Sequence, residues 1–182
     1  GLIEKPDEPK SELAIAGAYY IQSQKRLKKA IETLIEKNIK TRNEYQLTDA
    51  LALMMEQGEK FKALTINEWY DCGTMETLLS TSNYLLSQVH ANNGICTNCE
   101  IIQPVYIAEG AKISNSVIGP YTAVGESAVI NDSRIKQSMI NAYTQIDDSE
   151  LSDSIIGYHS QIKDYIGELN IGDGGSVIGN GK

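Results

Sequence analysis

Between residues 107 and 162 the aliphatic side chains fall at Ile107, Ile113, Ile118, Val124, Ile130, Ile135, Ile140, Ile146, Leu151, Ile156 and Ile162, so every step is five or six residues. A helix repeats near 3.6 and a half-buried strand at 2, and neither period produces this series. Small and turn-forming residues fill the gaps, as in Gly119-Pro120-Tyr121-Thr122, Gly125-Glu126-Ser127, Asn131-Asp132-Ser133, Asp147-Asp148-Ser149 and Ser152-Asp153-Ser154. A chain that turns one aliphatic side chain inward per step and bends in between winds into a three-sided coil.

Three steps make a turn of 16 or 17 residues, which places Ile118 over Ile135, Ile130 over Ile146 and Ile140 over Ile156. The segments Ile118-Gly-Pro-Tyr-Thr-Ala-Val, Ile140-Asn-Ala-Tyr-Thr-Gln-Ile and Ile156-Gly-Tyr-His-Ser-Gln-Ile are variants of one unit. Such copies at a fixed period specify a parallel β-helix of hexapeptide repeats, a solenoid in which each coil touches only its neighbours. A β-sandwich with Ser-rich turns would not keep the spacing over eleven consecutive marks. End coils lack one neighbour, so both ends are expected to be covered, one by upstream residues and the other by the tail, a subunit or both.

The chain has 182 residues, room for one or two domains, and a net charge of -8. That acidity argues against a nucleic-acid surface. Residues 91–182 hold 5 basic and 11 acidic side chains, so the charge belongs to the repeat half and reads as solvated, Asp-rich turns. No apolar run is long enough to span a membrane and no basic-then-apolar leader is present, which makes cytoplasmic residence the default. Three cysteines suit free thiols in a reducing compartment. Cys96-Thr-Asn-Cys99 has metal-site spacing but no second Cys or His pair, a weak zinc signal.

Upstream, residues 1–6 read as the end of a strand, and residues 13–21 (Leu-Ala-Ile-Ala-Gly-Ala-Tyr-Tyr-Ile) as a buried one with few neighbours to pair with. The chain therefore reads as beginning inside a domain. An amphipathic helix follows over residues 23–37, with Leu27, Ile31, Leu34 and Ile35 on one stripe. A second, over residues 47–57, is expected to bury Leu47, Ala50, Leu51 and Met54 and to stop at Gly58. Residues 61–65 and 68–71 read as strands. Residues 75–89 read as a helix with Thr74 as N-cap and Glu76 in its first turn. Asn92-Asn93-Gly94 reads as a hinge before the solenoid.

Two stretches could carry chemistry. Glu4-Lys5-Pro6 puts an acceptor and a cation at a strand end. Trp69-Tyr70-Asp71-Cys72-Gly73-Thr74 puts a carboxylate between a strand and a helix start. Asp71 can hold a hard cation such as Mg²⁺ or serve as a helix-entry acceptor. Lys5 can meet a phosphate or stand as a solvated charge.

With Pro9-Lys10-Ser11, Ala14-Ile-Ala-Gly-Ala-Tyr19 and Glu44-Tyr-Gln-Leu-Thr-Asp49 between them, these stretches resemble, in order and over essentially the whole chain, the second half of a sugar-1-phosphate nucleotidyltransferase. The nearest likeness is to the long glucose-1-phosphate thymidylyltransferases that end in a left-handed hexapeptide β-helix. The resemblance implies an incomplete α/β, Rossmann-like nucleotidyltransferase domain over residues 1–90, followed by an all-β, left-handed parallel β-helix with a tail over residues 91–182. It implies that Asp71 is a ligand of the catalytic Mg²⁺, that Glu4 accepts from sugar hydroxyls, that Lys5 contacts the sugar phosphate, and that Gly17 and Tyr19 line the sugar pocket. Residues 44–49 would shape the domain instead of touching substrate. The implied reaction is attack of a sugar 1-phosphate, such as glucose 1-phosphate, on the α-phosphorus of a nucleoside triphosphate, dTTP or UTP, with release of pyrophosphate.

Three features depart from the family pattern. Cys72 replaces the usual threonine, and Asn43 stands where a glycine usually precedes the glutamate. The glycine-rich nucleotide loop and the first metal-binding aspartate are absent from these residues. The sequence is therefore expected to be either a piece of a longer protein or a half whose complement is a separate chain, inactive by itself, with the triphosphate bound only in the intact enzyme. The solenoid is expected to form a homo-oligomer, with no nucleic-acid or membrane partner. Two other readings compete: a non-catalytic regulatory or assembly protein, and a hexapeptide acyltransferase using His159 as base, although His159 sits in a turn where a solvated side chain is expected.

Overall fold

The computed structural model describes residues 8, 11–89 and 91–179. The chain splits into two compact units between Trp69 and Tyr70. The division falls ahead of the third helix, so that helix groups with the solenoid and not with the N-terminal part.

The first unit is built on α1, Gln24–Glu36, and α2, Leu47–Glu56. Ala30, Leu34, Ala50, Leu51 and Met54 form its buried core, with Ile21, Leu27 and Leu53 at the edge. The expected stripe on α1 is narrower than its periodicity suggests: Ile31 and Ile35 are exposed, as is Leu47 on α2. Both helices end in a Schellman motif, which satisfies carbonyls that the last turn leaves open. In α2 the Gly58 N–H donates to the Met55 carbonyl and the Glu59 N–H to the Met54 carbonyl, with Gly58 at φ +91°. In α1 Asn38, at φ +50°, takes the place of the glycine.

Neither residues 13–21 nor residues 61–71 form strands; they run irregular and largely exposed, with Leu13 at 73% and Leu64 at 78% exposure. Apolar and β-branched content favours a strand only where a neighbour takes up its N–H and C=O groups. Among the described residues of this unit no sheet offers such an edge. Residues 1–6 lie outside the described residues.

In the second unit α3, Met75–Gln88, leads directly into the solenoid. Thr74 caps the helix as expected, in a reciprocal box: its hydroxyl accepts from the Thr77 N–H at 3.2 Å, and the Thr77 hydroxyl accepts from the Thr74 N–H at 3.1 Å. There is no hinge at residues 92–94. Ala91–Asn92 is already the first strand of the first coil, paired in parallel with Val105–Ile107.

The coils build three parallel faces of six, six and five strands among the described residues, about six turns in all. On the first face Ile107, Val124, Ile140, Ile156 and Ile171 lie in register. On the second, Cys96, Ile113, Ile130, Ile146, Ile162 and Val177 do so. On the third the column is Ile101, Ile118, Ile135 and Leu151. All eleven aliphatic marks of the sequence are buried in one continuous core, and the three predicted stackings are observed pairings. α3 lies against Thr122–Val124 on the first face, so this upstream element covers a flank.

The corners explain the five-or-six spacing. Most corners place a residue at positive φ, and these stack in columns: Asn98, Asn115, Asp132, Asp148 and Asp164 in one; Tyr121, Gln137 and Asp153 in another; Gly110, Ser127, Tyr143, His159 and Gly174 in the third. Asn, Asp and Gly tolerate this left-handed backbone, which is why they recur in the turns. Inside the corners buried serines form stairways. Ser133 Oγ donates to the Asn131 carbonyl at 2.6 Å and accepts the N–H of Ser149 at 3.0 Å one coil on, while the Ser133 N–H donates to Ser116 Oγ at 3.0 Å one coil back. Ser138 and Ser154 repeat the device at the next corner. The turns could not be buried without these partners.

Candidate functional site

Asp71 sits where irregular chain enters α3. Its Oδ1 accepts the Gly73 N–H at 2.9 Å, an Asx turn that aims the carboxylate and leads into the Thr74 cap three residues on. The helix-entry role is thus observed, and it uses one oxygen on a solvent-exposed carboxylate. Behind the turn the Tyr70 ring stacks on Tyr84 of α3, centroids 4.7 Å apart at 29°. The Thr81 hydroxyl stands within donating distance of two carbonyl oxygens, Thr77 at 2.9 Å and Asp71 at 3.4 Å. Sequence reasoning missed Tyr84. Its signal was present: residues 77, 81, 84 and 88 lie on one side of the helix, opposite the buried Leu79 and Leu86.

In the first unit Gly17 is at φ +79°, and a Cβ there would meet nothing within 4 Å, so the backbone lies open on that side. Tyr19 is 41% exposed. The Trp69 indole N–H donates to the Ala16 carbonyl at 3.3 Å, which ties Trp69 to the Ala14-to-Tyr19 stretch within the first unit. Gly17 and Tyr19 therefore belong to the first unit and Asp71 to the second. Glu4 and Lys5 lie outside the described residues. In residues 44–49, Asp49 accepts from the Thr41 hydroxyl at 2.8 Å, and Thr41 pairs with Glu44 across a tight turn. Asn43 stands there at φ +67°, which shows why asparagine can replace glycine at that point.

Among the described residues no three His, Cys, Asp or Glu side chains are disposed to hold a metal ion. A hard cation that keeps its waters and takes the rest of its ligands from phosphates needs only one or two carboxylates. Asp71, with one oxygen uncommitted to the Asx turn, fits that role. Among the described residues Cys96 and Cys99 gain no further ligand for zinc. Cys96 is half-buried beside Asn92, and burial pushes its thiol pKa up.

His159 stacks on Tyr143, centroids 5.0 Å apart at 10°, on an exposed corner. The Tyr143 hydroxyl donates to Glu126 at 3.2 Å, and that hydrogen bond and the carboxylate's charge raise the phenol pKa. A hollow of about 390 Å³ over Asn98, Glu100 and Asn115 contains none of the predicted site residues.

A family model described as nucleotidyl transferase matches residues 1–88. A glucose-1-phosphate thymidylyltransferase of Streptomyces griseus is 26% identical over 183 residues, 89% of this chain and 50% of the relative. The bifunctional protein GlmU of Methanocaldococcus jannaschii is 35% identical over 181 residues, 86% of this chain and 43% of the relative. A glucose-1-phosphate adenylyltransferase of Desulfitobacterium hafniense is 30% identical over 124 residues, 64% of this chain and 30% of the relative. The chain spans about half the length of the curated relatives it matches. Among solved structures, a perosamine N-acetyltransferase from Caulobacter crescentus shares 17% identity at a TM-score of 0.43 over 48% of this chain and 46% of that one, too weak a likeness to add to fold or function.

Proposed function

We propose, from the match of this chain to the C-terminal half of a sugar-1-phosphate nucleotidyltransferase, that it supplies the sugar side and one metal ligand of such an enzyme, with the solenoid as its scaffold. The observation that carries the reading is Asp71, an exposed carboxylate aimed by its own Asx turn at the start of a capped helix, in a chain whose first 88 residues match the family model. The open backbone at Gly17 and the exposed ring of Tyr19 would line the sugar. Glu4 would accept from its hydroxyls and Lys5 would neutralise its phosphate.

Mg²⁺, when bound, offsets the charge of the triphosphate. The chain's own part is to orient: Asp71 holds an anionic oxygen pair at a fixed point, and the sugar residues hold the phosphate oxygen for attack on the α-phosphorus. Positioning and charge neutralisation are what this transfer requires of a protein. The triphosphate side comes from residues outside these 182. Glucose 1-phosphate with dTTP or UTP is the substrate pair this reading favours. Cytoplasmic residence and self-association through a flank of the solenoid complete it.

The test is saturation-transfer NMR of glucose 1-phosphate with the chain. Saturable binding that exceeds that of glucose, and that falls to the glucose level in Lys5→Ala, is expected. Equal signals for the two sugars would overturn the sugar-site assignment.

A further inference from the structure

The sugar and metal assignments leave Cys96-Thr-Asn-Cys99 without a role. Cys96 stands in the inner column of the second face, in register with Ile113. Cys99 precedes the strand Glu100–Ile101, which pairs with Val117–Ile118, so it takes the place in the first coil that Ser116 takes in the second. Its thiol donates to the Thr97 carbonyl at 3.2 Å, as the Ser116 hydroxyl donates to the Ser114 carbonyl at 2.6 Å. Both cysteines therefore turn into one corner, and both pack on the end of the solenoid core. The next coils fill these two places with an isoleucine and a serine, Ile113 with Ser116, Ile130 with Ser133 and Ile146 with Ser149, all buried. The cysteines are only half-buried, because among the described residues no coil lies in front of theirs.

The backbone between them gathers the pair. Thr97 ends a strand and Asn98 is at φ +54°. An extended residue followed by one at positive φ is the order of a type II turn, whose first and fourth Cα atoms lie within about 7 Å. Disulfide-linked cysteines usually have Cα atoms about 4.4–6.8 Å apart, so the turn sets the two thiols within bonding reach. They also sense each other: burial raises the Cys96 pKa, Asn92 lowers it by less, and the charge of Cys99 raises it again.

We propose that Cys96 and Cys99 form a redox staple: a small-molecule disulfide converts them reversibly to an intramolecular disulfide that closes the corner of the first coil. The Cys99 thiolate attacks one sulfur of the oxidant, giving a mixed disulfide and releasing one small thiol. The Cys96 thiolate then attacks the Cys99 sulfur and expels the second. The protein dithiol loses two electrons and two protons, which the oxidant takes up in becoming two thiols. Burial keeps Cys96 protonated and makes it the slower nucleophile, which sets this order. A reducing compartment holds the pair open, and a more oxidising poise closes it. The coil that closes is the one that follows α3, so oxidation holds the entry to the solenoid against fraying.

The experiment equilibrates the full chain carrying Cys72→Ser, which removes the exposed third thiol, in glutathione buffers of graded reduced-to-oxidised ratio. Samples are quenched with acid and mapped by mass spectrometry. A species short of two hydrogens, with its bond between Cys96 and Cys99, is expected. Because the fold gathers the sulfurs, its equilibrium constant should be at least about tenfold larger in the native chain than in the same chain in urea. The oxidised chain should then melt higher. The Ile95 and Glu100 amides, which donate to the Ala111 and Ser116 carbonyls of the second coil, should exchange more slowly. Cys96→Ser and Cys99→Ser should each give the mixed disulfide with glutathione and nothing further. Glutathione adducts without the internal bond, or equal constants in the native and urea-unfolded chains, overturn the proposal. Should Cys72→Ser lose its native circular dichroism, the wild-type chain with its disulfides located by peptide mapping carries the same expectation, and a bond from Cys72 in place of the Cys96–Cys99 bond overturns it.

Discussion

Replacing Ser133 with alanine removes one oxygen atom from the interior of a corner and should be felt across two coils. In the folded chain that oxygen donates to the Asn131 carbonyl at 2.6 Å and accepts the Ser149 N–H at 3.0 Å, and Ser149 is 1% exposed. The Ser133→Ala chain keeps the bond from its own N–H to Ser116, so the previous coil is untouched. The next coil is left with a buried N–H that neither water nor protein can satisfy, a cost of about 1–3 kcal/mol. Loss of the second bond adds about 1 kcal/mol. Because about 2–4 °C of Tm accompanies each kcal/mol in a chain of about this length, the melting temperature should fall on the order of 10 °C. Circular dichroism gives the melt, and amide exchange at Ser149 gives the local readout, which should quicken selectively. Ser152→Ala, whose carbonyl and not hydroxyl serves the neighbouring stairway, is the control and should melt with wild type. A Ser133→Ala chain that melts within about a degree of wild type, with Ser149 still protected, would refute the view that these hydroxyls hold the coils together.

Gly125→Ala should be more damaging than its size suggests, since the new Cβ would stand 2.5 Å from the Ala142 backbone nitrogen of the next coil; a loss of roughly 2 kcal/mol or more in urea titration is expected, and an unchanged midpoint would show that the coils separate freely. Thiol labelling at mildly alkaline pH should modify exposed Cys72 first and Cys96 last. The sign follows from the raised Cys96 pKa: burial keeps it protonated where an ordinary thiol has begun to ionise, so thiolate is scarcer and attack slower. The same shift means that folding stability falls as pH rises past the unfolded thiol's pKa towards the folded one's, a loss that Cys96→Ser should remove. Equal labelling rates at Cys72 and Cys96 would contradict the burial.

The solenoid was legible because its constraint is geometric and local. A corner every five or six residues must alternate with one inward aliphatic, and Ile118, Ile130 and Ile140 could be placed over their partners by counting. The corner conformation was legible only in part: Asp132 and Asp148 advertise a left-handed residue, whereas Tyr121, Tyr143 and His159 adopt it because the coil imposes it. The N-terminal strands failed for the opposite reason. Strand formation in residues 13–21 depends on a neighbour, and no local pattern supplies one. Residues 92–94 read as a hinge because Asn-Asn-Gly is turn-forming, yet a solenoid is itself made of turns. At the candidate site, the Asp71 motif gave both of its roles as alternatives, and the Asx turn shows that the helix-entry role occupies one oxygen. Tyr84 stayed hidden because a tyrosine on the outer side of a helix has no meaning until the chain before the helix folds back onto it.

The central claim, that these residues carry one side of a nucleotidyl transfer and lack the other, is tested by pyrophosphate release from glucose 1-phosphate, Mg²⁺ and each nucleoside triphosphate. The chain alone should give none, and addition of a nucleotide-binding half carrying the glycine-rich loop should produce turnover that Asp71→Asn abolishes. Turnover by the chain alone, or full turnover of the complemented Asp71→Asn protein, would contradict the account.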